Sequence, residues 1–323
     1  MFKLEEISKV YRVGTFGGKE LRAVSHVSFE IGKGEVISLI GESGSGKSTI
    51  GKMMLQLTPI TSGKITFKGT PVSGLKGAAL KEYYRHVQGV FQDPFSSYNP
   101  IFKADRVFEN VREQFFPTVD DARWDEKLRE SLRGVGLNPD QVLNKFPHQL
   151  SGGQLQRLLI ARALLLDVEF LVADEIISML DASTRIDVLN LLADLKARGL
   201  SILFITHDLS LGYYISERAV ILFKGYVVEM GSTDRIFSTP LHPYTRMLMA
   251  SVPRLDKKWA EVEKEVRPEE SQVEELPAGY TFFDPEVARE IGGSGHRPQP
   301  VLVEVEQDHL VACFEPGDIP PTA

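Results

Sequence analysis

One stretch, "VISLIGESGSGKST" from Val36 to Thr49, narrows the choice of fold more than any other. An apolar, strand-like run from Glu35 to Ile40 ends at Gly41, and a glycine-rich loop leads into a helix expected over Lys47 to Leu57. The loop fits G-x-x-x-x-G-K-[ST] through Gly41, Gly46, Lys47 and Ser48. Residues free of Cβ let backbone curl around phosphate oxygens, and a helix start supplies N–H groups and a positive dipole end. Gly41, Glu42, Ser43, Gly44, Ser45, Gly46, Lys47, Ser48 and Thr49 are therefore the candidate phosphate-binding residues. Lys47 offers a point charge to the β- and γ-phosphates, and Ser48 offers a hydroxyl to Mg²⁺. A plain Gly/Ser linker would not bring the strand, the lysine and the serine together.

Apolar strands alternate with helices further on, which argues for a parallel sheet covered on both faces. "EFLVADE" reads as a buried strand ending in Asp174 and Glu175, "ASTRIDVLNLLADLKARG" as a helix and "LSILFITHD" as a strand. Phosphoryl transfer needs carboxylates, so Asp174 is the candidate metal holder and Glu175 the candidate orienter of attacking water. Gln92 in "VQGVFQDP" can reach a metal or water through its amide oxygen, and His207 can donate to a phosphate. Gln92 and His207 follow strand-like segments, as Gly41 does, and that edge of an open α/β sheet is where ligands bind.

The chain has 323 residues, which suggests about two domains. A net charge of −7 gives no general reason to expect a nucleic-acid partner. A single cysteine, Cys313, excludes an internal disulfide and a zinc site built on several thiolates. The opening "MFKLEEISKVYRVG" does not read as a signal peptide. No run approaches the roughly 20 apolar residues needed to span a bilayer. The longest candidate is broken by Asp167, Glu169, Asp174 and Glu175, so a membrane role must come from a partner.

The first ninety or so residues read as short strands with turn signals. A helical stretch from Ala104 to Gln149, punctuated by Pro117, Gly134, Gly136, Pro139 and Pro147, reads as an inserted subdomain of about residues 95–150. A long helix is expected from about Gln154 to Leu166. A boundary falls near Pro240, giving residues 1–240 and an extension, 241–323. The extension holds one short helix, a charged stretch from Asp256 to Glu275 expected to be weakly ordered, and a resumed strand alternation ending in "HLVACF".

A second glycine motif, "LSGGQLQR" from Leu150 to Arg157, has the same bare-backbone character. A helix-capping turn would also explain it. In chain order Tyr11, "GESGSGKST", "VFQDP", "LSGGQLQR", "LVADE", "SMLD" and "ITHD" resemble the ATP-binding subunits of ABC transporters, over roughly residues 1–240. The resemblance implies a P-loop α/β fold with a mixed-sheet core, an antiparallel β subdomain, an inserted helical subdomain and a small C-terminal extension. It implies an ATP hydrolase in which Tyr11 stacks on adenine, a contact worth about 1–3 kcal/mol elsewhere. Gln92 would sense the γ-phosphate and, with Ser48 and Asp174, hold Mg²⁺. Glu175 would be the general base, His207 the switch residue and Asp181 the residue of the loop crossing a dimer interface. Two cassettes would sandwich each ATP, so that Ser151, Gly152, Gly153 and Gln154 serve the partner's nucleotide.

"FQDPFSSYNP" and "STPLHPYTRMLMASVP" resemble the oligopeptide/dipeptide importer branch. That branch implies a similar but distinct second ATPase chain, two transmembrane permeases, a substrate-binding protein acting indirectly, no nucleic acid, and a peripheral place on the cytoplasmic face of the membrane. The helical insert would be the docking surface for the permease. Oligosaccharide and nickel importers share the pattern, so either cargo is an alternative. A soluble ABC ATPase without a transport role is the alternative of a different class; sustained heptads, a zinc module or a second cassette would mark it.

The chain departs from the pattern in three places. Many members of the branch carry several cysteines in the extension, some holding an iron–sulfur cluster. With Cys313 alone, and Tyr280 near where a cysteine is expected, no cluster on four thiolates is expected here. Ile176-Ile177 replace a usual Pro-Thr, which frees φ, adds a backbone donor and bears on how Ser178 and Asp181 are presented. Leu155 replaces a usually polar residue of the signature loop.

Overall fold

The computed structural model describes residues 1–14, 18–251, 276–292 and 298–318. The charged stretch Asp256–Glu275 lies outside them. The chain divides into two compact units: Met1–Gly32, Val36–Gly74 and Phe204–Ala323 form one, Lys33–Glu35 and Leu75–Leu203 the other.

The first unit contains an antiparallel sheet of four strands. β1 (Phe2–Val13) lies between β2 (Lys19–Ile31) and β4 (Ser62–Phe67), and β5 (Thr70–Pro71) closes the edge. A second, mixed set is built around β3 (Val36–Ile40), whose five residues are all buried, as its continuous apolar pattern requires. β3 runs parallel to β9 (Arg218–Phe223), with Ile40 opposite Ile221. β10 (Tyr226–Ser232) continues antiparallel from β9.

The extension then adds to this sheet. β13 (His309–Phe314) pairs antiparallel with β10, Glu229 opposite Val311, and is itself flanked by β11 (Thr281–Phe282) and β12 (Val301–Glu306). One hydrophobic cluster holds Ile40 and Ile221 together with Tyr244, Phe283, Ala312 and Phe314. The residues after Pro240 thus share a core with the strand that leads into the glycine loop.

In the second unit β6 (Val87–Val90) runs parallel to β7 (Phe170–Asp174), Val90 opposite Ala173. β8 (Ser201–Thr206) follows β7 in strand order and passes from this unit to the first between Leu203 and Phe204. The insert contains α3 (Arg106–Phe115), α4 (Asp121–Gly134) and α5 (Pro139–Val142). Asp120 and Asn138 cap α4 and α5 by accepting from backbone N–H groups, and Gly136, at φ 70°, turns the chain between them.

Helix bounds differ from the sequence expectation at the end of α1 and at both ends of α6, which stops at Leu164 rather than Leu166. α1 (Lys47–Met54) stops three residues short of Leu57, where Gln56 adopts φ 55° and ends the helical run. α6 (Gly152–Leu164) starts two residues before Gln154, so both glycines are helical. Glycine is a poor helix former, but a capping box at Ser151 fixes the start.

Candidate nucleotide-binding and active site

In the first unit the loop Gly41–Thr49 joins β3 to α1. Gly46 occupies the N-cap of α1 at φ 107°, and no side chain caps the helix. A Cβ on Gly46 would lie 2.3 Å from the Ala23 carbonyl oxygen, and one on Gly41 would lie 2.2 Å from that of Leu222. Only glycine fits a loop pressed this closely onto neighbouring backbone. Lys47 is buried, with Nζ donating to the carbonyls of Gly41 at 2.6 Å and Glu42 at 2.8 Å. The Ser45 hydroxyl is buried and has no hydrogen-bond partner among the described residues. Such a donor is costly to leave unmade, and a phosphate oxygen would satisfy it. The residues present therefore fit a phosphate.

Tyr11 lies on β1, partly exposed, with Lys9 Nζ 4.9 Å from its ring centroid. His207 is exposed and follows the end of β8. The backbone on its far side is fixed, since Asp208 N–H donates to Thr206 Oγ1 at 3.0 Å and the Asp208 carboxylate caps α8 (Leu209–Ile215).

The second unit holds the remaining candidates. The parallel register of β6 and β7 sets Gln92 and the Asp174-Glu175 pair at one sheet end. Asp174 is buried at 7% exposure. Glu175 takes a left-handed φ of 49°, unusual for a residue other than glycine and concentrated at functional sites. Its carbonyl accepts from both the N–H and the hydroxyl of Ser178, at 3.1 and 2.9 Å. Arg185 donates to the carbonyls of Leu180 and Ser178. Ile176 and Ile177 are buried, so burial of these two side chains and the Arg185 bonds fix the turn where a proline would otherwise stiffen it.

Asp181 is the N-cap of α7 (Ala182–Ala197), accepting from Ser183 Oγ, Thr184 N–H and Thr184 Oγ1. These bonds, the Ser183 hydroxyl foremost, hold its carboxyl below the usual carboxylate range. Ser151 caps α6: its Oγ accepts from Gln154 N–H at 3.2 Å, and Gln154 Oε1 accepts from Ser151 N–H at 2.9 Å. The "SGG" turn is thus a capping turn, and its hydroxyl proton is still available to an incoming anion. Gly152 lies against Leu180 and Phe95, and Gly153 against Thr184. The signature turn and the Asp181 turn therefore meet within this unit.

The sequence reading missed two tethers here. Tyr98 donates its hydroxyl to the Leu155 carbonyl at 3.0 Å, and Gln156 Nε2 donates to Phe91 O at 3.2 Å. Both tie the Gln92 segment to α6. Burial pushes the Tyr98 hydroxyl well above the usual phenol range, so it remains a donor. Leu155, read as a departure from a polar position, is fully buried. Among the described residues no cluster of three or more His, Cys, Asp or Glu side chains could hold a metal by itself. No helix among them is long and apolar enough to cross a membrane.

A helix start left uncapped behind a left-handed glycine, with a lysine folded onto the loop's own carbonyls, defines the class of P-loop nucleoside-triphosphate-binding proteins. Within that class, the family described as ABC transporter matches residues 24–178, and the oligopeptide/dipeptide transporter C-terminal region matches residues 228–285. The chain is 42% identical over 256 residues to the oligopeptide transport ATP-binding protein OppF of Streptococcus mutans, covering 79% of this chain and 83% of that one. It is 43% identical over 239 residues to OppF of Bacillus subtilis, covering 73% and 78%. The dimeric ATP-binding cassette MJ0796, solved with ADP and Pi, superposes with a TM-score of 0.65 at 28% identity, over 72% of this chain and 99% of that one. The chain belongs to the ATP-binding proteins of the ABC transporter family and has the ABC cassette fold.

Proposed function

We propose that this chain hydrolyses ATP to ADP and phosphate as one of two paired cassettes, and that the pair powers a membrane importer of di- and oligopeptides. The observation that carries the reading is the presence, in one chain, of two separate helix starts suited to phosphate, at Gly46 and at Ser151. One serves the chain's own nucleotide and the other a nucleotide held by a second cassette. The dimeric form of MJ0796 supports the pairing, and the match over residues 228–285 together with the OppF relatives supports the peptide cargo.

In this reading Tyr11 stacks on adenine, and Gly41–Thr49 wrap the β- and γ-phosphates. Lys47 exchanges the carbonyls of Gly41 and Glu42 for phosphate oxygens. Ser48, Asp174 and Gln92 hold Mg²⁺, which when bound neutralises charge developing on those oxygens. Glu175 takes a proton from the attacking water as the water oxygen bonds to the γ-phosphorus, the bond from the γ-phosphorus to the bridging oxygen breaks with ADP leaving with that electron pair, and His207 donates to a γ-phosphate oxygen. Asp181 and Ser151–Gln154 face the second cassette. Permeases receive the closing motion, a binding protein delivers cargo outside, and the chain works at the cytoplasmic face of the membrane. We favour a similar but distinct second ATPase chain, and assign residues 1–240 to the cassette and 241–323 to the extension.

The test is ATP turnover by the whole complex in proteoliposomes, with its binding protein loaded with peptide, oligosaccharide or nickel in turn. Stimulation by peptide alone supports the reading; stimulation by sugar or nickel alone overturns the cargo.

A further inference from the structure

The peptide unit between Gly41 and Glu42, the first of the phosphate loop, is held at both ends. Its carbonyl accepts from Lys47 Nζ at 2.6 Å, and its N–H donates to the Tyr244 hydroxyl at 3.0 Å. Tyr244 stands 202 positions beyond Glu42, in α10 (Pro243–Ala250), within the extension.

Tyr244 is rigidly mounted. It is 5% exposed, its ring stacks on Phe223 at 4.1 Å and 27°, and it packs in the cluster that contains Ile40. The start of its helix is pinned as well. His242 Nδ1 accepts from Tyr244 N–H at 3.1 Å. The N–H groups of Leu241 and His242 both donate to the buried carboxylate of Glu229, at 2.9 and 3.0 Å. Glu229 also binds His309 Nε2 at 2.7 Å. Burial pushes the Tyr244 hydroxyl up to about 12, so it stays neutral at physiological pH.

We propose that Tyr244 is a positioning residue for the phosphate loop: it keeps the Gly41–Glu42 peptide in register when the Lys47 ammonium leaves the loop carbonyls for phosphate. The inference rests on the reading of Gly41–Thr49 as the nucleotide site. With nucleotide absent, two bonds hold the peptide. When Lys47 turns away, Tyr244 supplies the one that remains. Without the hydroxyl the peptide would have to be ordered during binding, and that conformational entropy would be lost from affinity. A single hydrogen bond of ordinary net strength corresponds to about a fivefold change in affinity.

The experiment uses the full-length chain and its Tyr244→Phe variant, which keeps the ring and its stacking. A fluorescent ATP analogue is titrated, thermal unfolding is followed without nucleotide, and exchange of the Glu42 amide is read by NMR. The expected result is roughly fivefold weaker nucleotide binding with a melting temperature close to wild type. The Glu42 amide should be protected in the wild-type chain and should lose that protection in the variant while its neighbours keep theirs. A purely structural tyrosine would lower the melting temperature and leave nucleotide affinity unchanged. Wild-type affinity in the variant, or an unprotected Glu42 amide in the wild-type chain, overturns the proposal, and the second holds even if the variant does not fold. A wild-type chain that binds no nucleotide would overturn the underlying reading of the loop instead.

Discussion

Gly153 and Thr184 meet with no room between them: a Cβ on Gly153 would lie 2.2 Å from Thr184 Cγ2. Thr184 cannot rotate away freely, because its hydroxyl and its N–H both bind the Asp181 carboxylate. Gly153→Ala should therefore destabilise the chain by about 1–3 kcal/mol, as overpacking does. In a Thr184→Ser background, which keeps the hydroxyl but lacks Cγ2, the same change should be neutral or stabilising, since alanine favours a helix by about 1 kcal/mol over glycine. Denaturant midpoints of the wild type and the three variants decide it, and equal losses in both backgrounds would refute the contact as the cause.

The two glycines on either side of Ser45 should behave differently. A Cβ on Gly46 would strike the backbone oxygen of Ala23, which has no side-chain freedom with which to retreat. Gly46→Ala should abolish nucleotide binding. Gly44, at φ 83°, has nothing within 4 Å of its Cβ position, so Gly44→Ala bears only backbone strain of about 1–2 kcal/mol and keeps measurable binding. Calorimetric titration with ATP distinguishes the two.

Glu175 is assigned the water's proton, and Gln is nearly isosteric but cannot accept it. Glu175→Gln should leave ATP binding within a fewfold of wild type and lower turnover by about 10²-fold or more. Single-turnover kinetics on the complex measures this. Hydrolysis at the wild-type rate would remove Glu175 from the role.

His242 should give the fold a measurable pH dependence. Burial holds its imidazole below the ordinary histidine value, despite the Phe283 carbonyl that accepts from Nε2. The unfolded chain therefore binds a proton more readily than the native one just below pH 6.5, and stability must rise with pH through that window. The native chain should lose up to about 1.4 kcal/mol per pH unit from this group as pH falls below 6.5, and nothing from it above about 7.5. His242→Asn keeps an acceptor for Tyr244 N–H but does not titrate. Urea midpoints between pH 5 and 8 should show a shallower slope for the variant; identical slopes would sink the assignment.

The phosphate loop was legible because its chemistry demands a fixed local spacing: Gly41, Gly46, Lys47 and Ser48 lie within eight residues of one another. The strands β3 and β7 were legible because burial on both faces leaves an unbroken apolar run. The start of α6 was not, because helix propensity argues against Gly152 and Gly153, whereas the deciding term is the reciprocal bond between Ser151 and Gln154. The tie from Tyr98 to Leu155 was also hidden, since it spans 57 positions and involves a backbone acceptor that leaves no mark on the sequence. Tyr244 lies in a motif suggestive of cargo, and nothing in its neighbours points to Glu42. The role of Ile176-Ile177 needed the structure to show Arg185 holding the turn from the following helix.

Glu229 draws its partners from Leu241, His242 and His309, the last of them 80 positions downstream. On the ribosome, a nascent chain that has just released β10 holds a carboxylate destined for burial whose imidazole partner has not been synthesised. The mount of Tyr244, and through it the brace on a loop 202 positions earlier in the chain, is completed only when β13 emerges. Shortened translation products that end before His309 would carry every residue assigned to ATP chemistry, yet should be recognised by proteases as unfinished.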